Sequence, residues 1–183
     1  MTVVGIDEVG RGCWAGPVVA GAVILGPPIV GLKDSKLLSK KRREGLAEVI
    51  RRQALAVGLG WVTPAEVDAL GLTAAVGLAM QRAIEQITIA YDAIIIDGNI
   101  NFLIENPKAS AIIKADMSVQ AVSAASIVAK VARDNYMAEI AQQYPQYGFE
   151  RHVGYGTALH LERLRRHGAS AMHRQSFKPV KLL

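Results

Sequence analysis

The chain has 183 residues, 51% hydrophobic and 20% charged, with a formal charge of +5 and a pI near 9.5. That balance suits one globular domain over residues 1–183; it excludes a disordered polyelectrolyte, and no apolar stretch approaches the roughly 20 residues of a membrane span. The lone Cys13 excludes an intramolecular disulfide framework and a cysteine-built zinc cluster, and with no secretory leader or lipidation signal the expectation is a cytoplasmic monomer without a membrane partner.

Val3–Asp7 and Val18–Leu25 read as strands, joined by a glycine-containing loop that Pro17 punctuates. Ser39 is placed to cap a helix running to about Gln53, and Ala54–Val62 reads as a third strand. Thr63-Pro64-Ala65-Glu66 has the form of a capping box with proline at the first helical position, and Leu72–Ile87 is helical by composition. Ala93–Ile96 is an apolar, β-branched run ending in Asp97-Gly98-Asn99, a strand-to-turn signal; Ala111–Ala115 repeats the pattern before Asp116. Small and apolar residues recur at helical spacing from Val119 to about Gln142, and a last helix from Thr157 to His167 stops at Gly168. Three strands followed by two more between helices predict an α/β fold with a sheet of about five strands.

Asp7, Asp97 and Asp116 each fall at the end of a predicted strand, where ligands gather in open α/β sheets. Glu8 follows Asp7 directly. Crowded, desolvated carboxylates repel one another, so these are either ordinary turn and capping acids or groups that meet a cation. Should the first and fourth strands be parallel neighbours, about 4.8 Å apart, Asp7 and Asp97 can share an ion. Successive residues of a regular strand face opposite ways, so a bend or bulge is predicted at Asp7-Glu8 to bring both to one place. Oxygen ligands without cysteine or a paired histidine motif favour Mg²⁺ or Mn²⁺, and two such ions about 4 Å apart suit in-line displacement at a phosphodiester.

Lys40, Lys41, Arg42 and Arg43 fall in the first turn of the helix after Ser39, where positive charge opposes the helix dipole. A docked phosphate backbone would turn that placement into binding; a solvated basic face is the alternative, and Lys33 and Lys36 can join either. His152, His160, His167 and His173 are spaced too irregularly for a metal motif and read as surface or phosphate-side groups. Trp14 and Trp61 read as packing residues.

Gly5-Ile6-Asp7-Glu8-Val9-Gly10-Arg11-Gly12 resembles the signature of the ribonuclease HII family. Further blocks follow in the family's order: Gly16-Pro17-Val18-Val19, Asp34-Ser35-Lys36, Ile96-Asp97-Gly98-Asn99, Lys114-Ala115-Asp116, Ser123 to Lys130, Arg133-Asp134, Gly154-Tyr155-Gly156-Thr157 and His173-Arg174-Gln175-Ser176-Phe177. The resemblance implies an RNase H-like fold, a mixed five-stranded sheet flanked by helices, with further helices toward the C-terminus. It implies an endoribonuclease that hydrolyses the RNA strand of RNA/DNA hybrids and incises 5′ of single ribonucleotides in duplex DNA, leaving a 3′-hydroxyl and a 5′-phosphate. Asp7, Glu8, Asp97 and Asp116 would be its catalytic, metal-holding acids. Gly10, Arg11 and Gly12 would read the ribose, whose 2′-hydroxyl separates RNA from DNA, and Tyr155 would stack on the following deoxyribose. Lys36, Lys40 and Arg42 would contact substrate phosphates. Asp134 and Ser126 would support the site, although Asp134 is equally placed to pair with Lys130 on the same helical face.

Cys13 and Trp14 stand where the family often has proline and an aliphatic residue, a departure that bears on the loop and not on the acids. Two alternatives accompany this reading. Ribonuclease HIII shares the acidic set but usually carries an extra N-terminal domain and another residue in place of Arg11. A non-catalytic, basic nucleic-acid-binding module would leave the carboxylates structural.

Overall fold

In the computed structural model, residues 1–32 and 38–183 are described; Lys33 and Lys36 lie outside them. Five strands form one sheet: β1 (Val3–Val9), β2 (Val18–Leu25), β3 (Ala54–Val62), β4 (Ala93–Asp97) and β5 (Ala109–Ile112). Their order is β3-β2-β1-β4-β5, with β1–β2 and β2–β3 antiparallel and β1–β4 and β4–β5 parallel. The helices are α1 (Lys40–Gln53), α2 (Pro64–Leu70), α3 (Leu72–Ile84), α4 (Ala115–Ser118), α5 (Gln120–Gln143), α6 (Phe149–His152), α7 (Ala158–His167) and α8 (Lys178–Lys181). The mixed sheet with flanking and C-terminal helices is the architecture the sequence implied.

Period-two alternation sorts the sheet's side chains into two cores. Val4, Ile6, Ala20, Ala22 and Ile94 pack against Ala75, Val76, Ala79 and Met80 of α3. Val23, on the other face, joins Ala124, Ile127 and Val128 of α5 and Ile50 of α1. On that face α5 lies against bare backbone, since a β-carbon at Gly5 would collide with the main chain of Ala121 and Val122, and one at Gly21 with the Ala125 carbonyl. A third cluster, with Met137, Tyr147, Phe149 and Met172, ties the C-terminal helices to Ala15.

Local chemistry explains the helix starts. Ser39 accepts a hydrogen bond from Arg42 N–H at the head of α1. Thr63 and Glu66 complete a reciprocal capping box for α2, with Pro64 where its missing N–H costs nothing.

Three expectations need correction. β1 runs on to Val9, and its pairing with β2 is continuous through Asp7↔Gly21, Glu8↔Ala20 and Val9↔Val19, so the predicted bulge is not there; the sheet's irregularity falls at Ile24/Leu25. β5 ends at Ile112, and Asp116 sits in α4 and not at a strand end. The apolar run misled because β5 is an edge strand that leaves Ile112 and Ile113 exposed, after which Lys114 turns the chain with φ 58°. Finally, α3 stops at Ile84, three residues short of the expected Ile87.

Candidate active site

The parallel pairing of β1 with β4 ends at Ile6↔Ile96, so Asp7 and Asp97 are the next residues on adjacent strands. Asp7 lies on the Gly5 side of β1, toward α5, and its carboxylate accepts hydrogen bonds from Ser126 and, at 2.8 Å, from Glu8 N–H. Asp97 Oδ1 in turn accepts Asp116 N–H at 3.4 Å, which brings the start of α4 to the end of β4. Ser123 fastens that arrangement by donating to the Asp116 carbonyl at 2.5 Å. Asp7 and Asp116 are buried, and Glu8, half-buried, pairs with the Arg11 guanidinium at 2.9 Å.

Burial, with the charges of Glu8 and Asp97, pushes the Asp7 carboxyl up to about 8 despite the hydrogen bonds from Ser126 and Glu8 N–H. Desolvation is the first cause of that rise and the neighbouring carboxylates Glu8 and Asp97 add to it, so a cation beside them would favour the ionised form. An all-oxygen set there fits a hard divalent cation by donor chemistry. The set is open: among the described residues no three acidic, histidine or cysteine groups are already closed around one point.

Beyond β1, two arginines to which the sequence assigned no role are wholly buried. Arg133 of α5 donates from Nε to the Pro17 carbonyl (2.9 Å), from Nη2 to Ala15 (3.1 Å) and from Nη1 to Val153 (2.8 Å). Arg174 donates from Nε and Nη2 to the Gly16 carbonyl and from Nη1 to that of Arg11 at 2.9 Å. Burial brings Arg174 down to about 10, which leaves it cationic at neutral pH. The planar guanidinium fork lets one side chain hold several carbonyls at fixed angles, which lysine cannot do. Arg133 thereby joins the loop after β1 to the loop after α6. Gly10 (φ 90°) and Gly154 (φ 88°) fit only without side chains, because a β-carbon would strike Arg133 Nε in one case and the Ala15 carbonyl in the other. The only sequence signal for these arginines was their place inside the Arg133-Asp134 and His173-Arg174 blocks.

The family model for ribonuclease HII matches residues 4–180. The chain belongs to the ribonuclease HII family. A ribonuclease HII of Dechloromonas aromatica (strain RCB) is 50% identical over 180 residues, covering 97% of this chain and 91% of its own. The crystal structure of the ribonuclease H2 from Pyrococcus horikoshii OT3 superposes with a TM-score of 0.81 at 27% identity, covering 100% of this chain and 96% of that one. Bst-RNase HIII in complex with Mn²⁺, 22% identical, shares the fold with a TM-score of 0.75 over 99% of this chain and 68% of that one.

The fold places the remaining sequence candidates as follows. Gly10, Arg11 and Gly12 form the turn leaving β1, with Arg11 and Gly12 exposed and the Arg11 guanidinium 5.8 Å from the Phe102 ring centre. Tyr155 is 39% exposed and bridges to Cys13 in antiparallel fashion, so both substrate-loop candidates share one surface. Cations from Lys130 and Arg133 stand 5.6 and 5.9 Å from the centre of its ring. Asp134 is paired with Lys130 at 2.8 Å, the local alternative its spacing allowed. Lys40 and Arg42 are exposed at the start of α1, whose first turn has no acid, although Lys40 approaches Glu44 at 3.9 Å.

The histidine expectation holds for His167, which is exposed, and fails for the other three. His152, His160 and His173 are buried together against Phe149 and Tyr147 and are not surface groups. Irregular sequence spacing concealed a convergence that the packing of α6 and α7 against the 170–174 segment creates.

Proposed function

We propose that this endoribonuclease, acting as one catalytic domain on RNA/DNA hybrids, also incises 5′ of single ribonucleotides embedded in duplex DNA and leaves a 3′-hydroxyl and a 5′-phosphate. The observation that supports it is the placement of Asp7 and Asp97 directly after the last paired residues of the adjacent strands β1 and β4, with Asp116 N–H donating to Asp97 Oδ1. Asp7, Glu8, Asp97 and Asp116 would hold Mg²⁺ or Mn²⁺, which when bound would make a coordinated water more acidic than bulk water and neutralise charge at the leaving oxygen. Asp7 and Asp97, on adjacent strands, set the spacing of the donor oxygens; Ser126 and the Glu8 N–H orient the Asp7 carboxylate. Ser123 keeps Asp116 at the mouth of the site by holding the turn into α5.

Substrate selection falls to the loops held by Arg133 and Arg174. Gly10 and Gly12 allow close main-chain approach to the 2′-hydroxyl, Arg11 would exchange Glu8 for a phosphate oxygen, and Tyr155 would stack on the next sugar. Lys40 and Arg42 extend the interface along the phosphate backbone, as Lys36 is expected to do.

Incubation with a duplex bearing one ribonucleotide, in Mg²⁺ or Mn²⁺, tests the reading. A single cut 5′ of the ribonucleotide is expected. Cleavage of an all-RNA hybrid without cutting at the lone ribonucleotide would mark ribonuclease HIII-like selectivity, and binding without any cut would leave a non-catalytic module.

A further inference from the structure

We propose that His173 and His160 are positioning residues: a neutral hydrogen-bonded pair of fixed tautomer that holds the Tyr155 main chain and so sets how sharply the enzyme distinguishes a ribonucleotide–deoxyribonucleotide junction. The inference rests on the proposed stacking of Tyr155 on the sugar after the ribonucleotide.

The tautomers follow from the hydrogen bonds. A main-chain N–H can only donate, and Ser170 N–H points at His173 Nδ1 from 3.0 Å, so that nitrogen carries the lone pair and the proton resides on Nε2. His173 Nε2 lies 3.1 Å from His160 Nε2, which must therefore accept. The His160 proton is thereby placed on Nδ1, 2.9 Å from the Tyr155 carbonyl, which can only accept. Reversing the chain would set a lone pair against that carbonyl and an N–H against Ser170 N–H. One proton arrangement satisfies every partner.

His152 extends the device. Its Nδ1 accepts Gly154 N–H at 3.2 Å, its Nε2 lies 3.0 Å from the Tyr147 carbonyl, and its ring stacks on His160 at 4.3 Å. The amide before Tyr155 and the carbonyl after it are thus both held by imidazoles, while Tyr155 N–H donates to the His152 carbonyl at 2.9 Å. Burial first, then neighbouring imidazoles, keep His160 and His173 near 4, so both are neutral at the pH where a nuclease works. Trp14 packs 5.4 Å from the His160 ring and closes over Gly156, where a side chain would strike the indole. Tyr155 remains 39% exposed while its backbone is fixed from behind, as a preorganised reading group requires.

Two substrates separate positioning from scaffolding: a duplex with one ribonucleotide and an all-RNA/DNA hybrid, compared as a ratio of kcat/KM values. His160→Leu should lower the single-ribonucleotide preference about fivefold to tenfold, the scale of one hydrogen bond, with a smaller change on the hybrid. His160→Asn, whose amide N–H can stand in for Nδ1–H, should recover most of the preference. ¹⁵N-histidine spectra of the unmodified protein should show neutral rings with the proton on Nδ1 of His160 and on Nε2 of His173. Equal ratios in the Leu and Asn variants, a parallel fall on both substrates, or the opposite tautomers would overturn the proposal. Should His160→Leu not fold, His173→Gln against His173→Leu makes the same comparison, the glutamine amide replacing the Nε2–H donor. Tyr155→Ala is the control. A lost preference there with inert histidine variants overturns this proposal alone, whereas an unchanged preference in Tyr155→Ala removes the Tyr155 reading and this one with it.

Discussion

At the carboxyl end of β1, burial first and then the charges of Glu8 and Asp97 push the Asp7 carboxyl up to about 8, far above an exposed aspartate. Behind the loop that follows β1, Arg133 and Arg174 are just as deeply buried, yet their donors are met by the carbonyls of Arg11, Ala15, Gly16, Pro17 and Val153. The first region is electrostatically unfinished and gains by taking up a cation. The second is finished within the chain and presents a fixed surface. The proposed reading, in which the enzyme takes up metal at one place and reads sugar geometry at another, would use both kinds of construction, and here they adjoin.

The largest effect should come from breaking the unfinished side. Asp97→Asn is expected to reduce kcat by a thousandfold or more, on the scale of several kcal/mol of transition-state stabilisation, while thermal stability holds or rises because one repelling charge is gone. A folded, active Asp97→Asn would remove Asp97 from the site; an unfolded one would make it structural.

On the finished side the effect should be on stability. Arg174→Met strands the Gly16 and Arg11 carbonyls, at a cost of about 1–3 kcal/mol for each buried unsatisfied group. A drop in Tm of roughly 4–24 °C is expected, together with poorer selection of the single-ribonucleotide duplex. An unchanged Tm would mean that water replaces the guanidinium without penalty.

pH sharpens the comparison more gently. Between about 4 and 8 the folded state keeps the Asp7 proton that the unfolded chain has released, so this group's contribution to stability falls as pH rises and its penalty is complete only above 8. In a chelator, Asp7→Asn should therefore be more stable than the parent at pH 8, with little difference at pH 4. Thermal melts at the two pH values check the sign, and added Mg²⁺ or Mn²⁺ should stabilise the parent more than the variant.

The smallest effect concerns affinity alone. Replacing Lys40 and Arg42 by alanine should reduce the slope of log K against log salt by roughly one unit for each phosphate left without its cation, leaving kcat on saturating substrate unchanged. An unaltered slope would return them to the solvated surface.

Much of this arrangement was legible in the sequence because it is written locally. The capping box at Thr63, the Ser39 cap and the β-branched run into Asp97-Gly98-Asn99 each declare themselves within a few residues, and the parallel pairing of β1 with β4, a condition in the sequence reading, is found in the structure. What escaped depends on packing between distant parts of the chain. Asp116 reaches the site through α4 because β5 is an edge strand with exposed isoleucines, which imitate a buried one in composition. The histidines meet only after α6 and α7 fold back, and Arg133 looks like an ordinary helix residue until the loop carbonyls close around it. Without the predicted bulge, Glu8 follows Asp7 on the opposite face of β1, where its carboxylate meets the Arg11 guanidinium.

Gly5 sits two residues before Asp7 on the same face of β1, with the main chain of α5 resting directly on it. A single methyl group there would lift the helix that carries Ser123 and Ser126, and through them disturb two carboxylates it never touches. The chemistry at the strand's end is therefore governed partly by an atom that is missing, and a Gly5→Ala exchange would act as a throttle on turnover from beneath the site while every acid kept its identity.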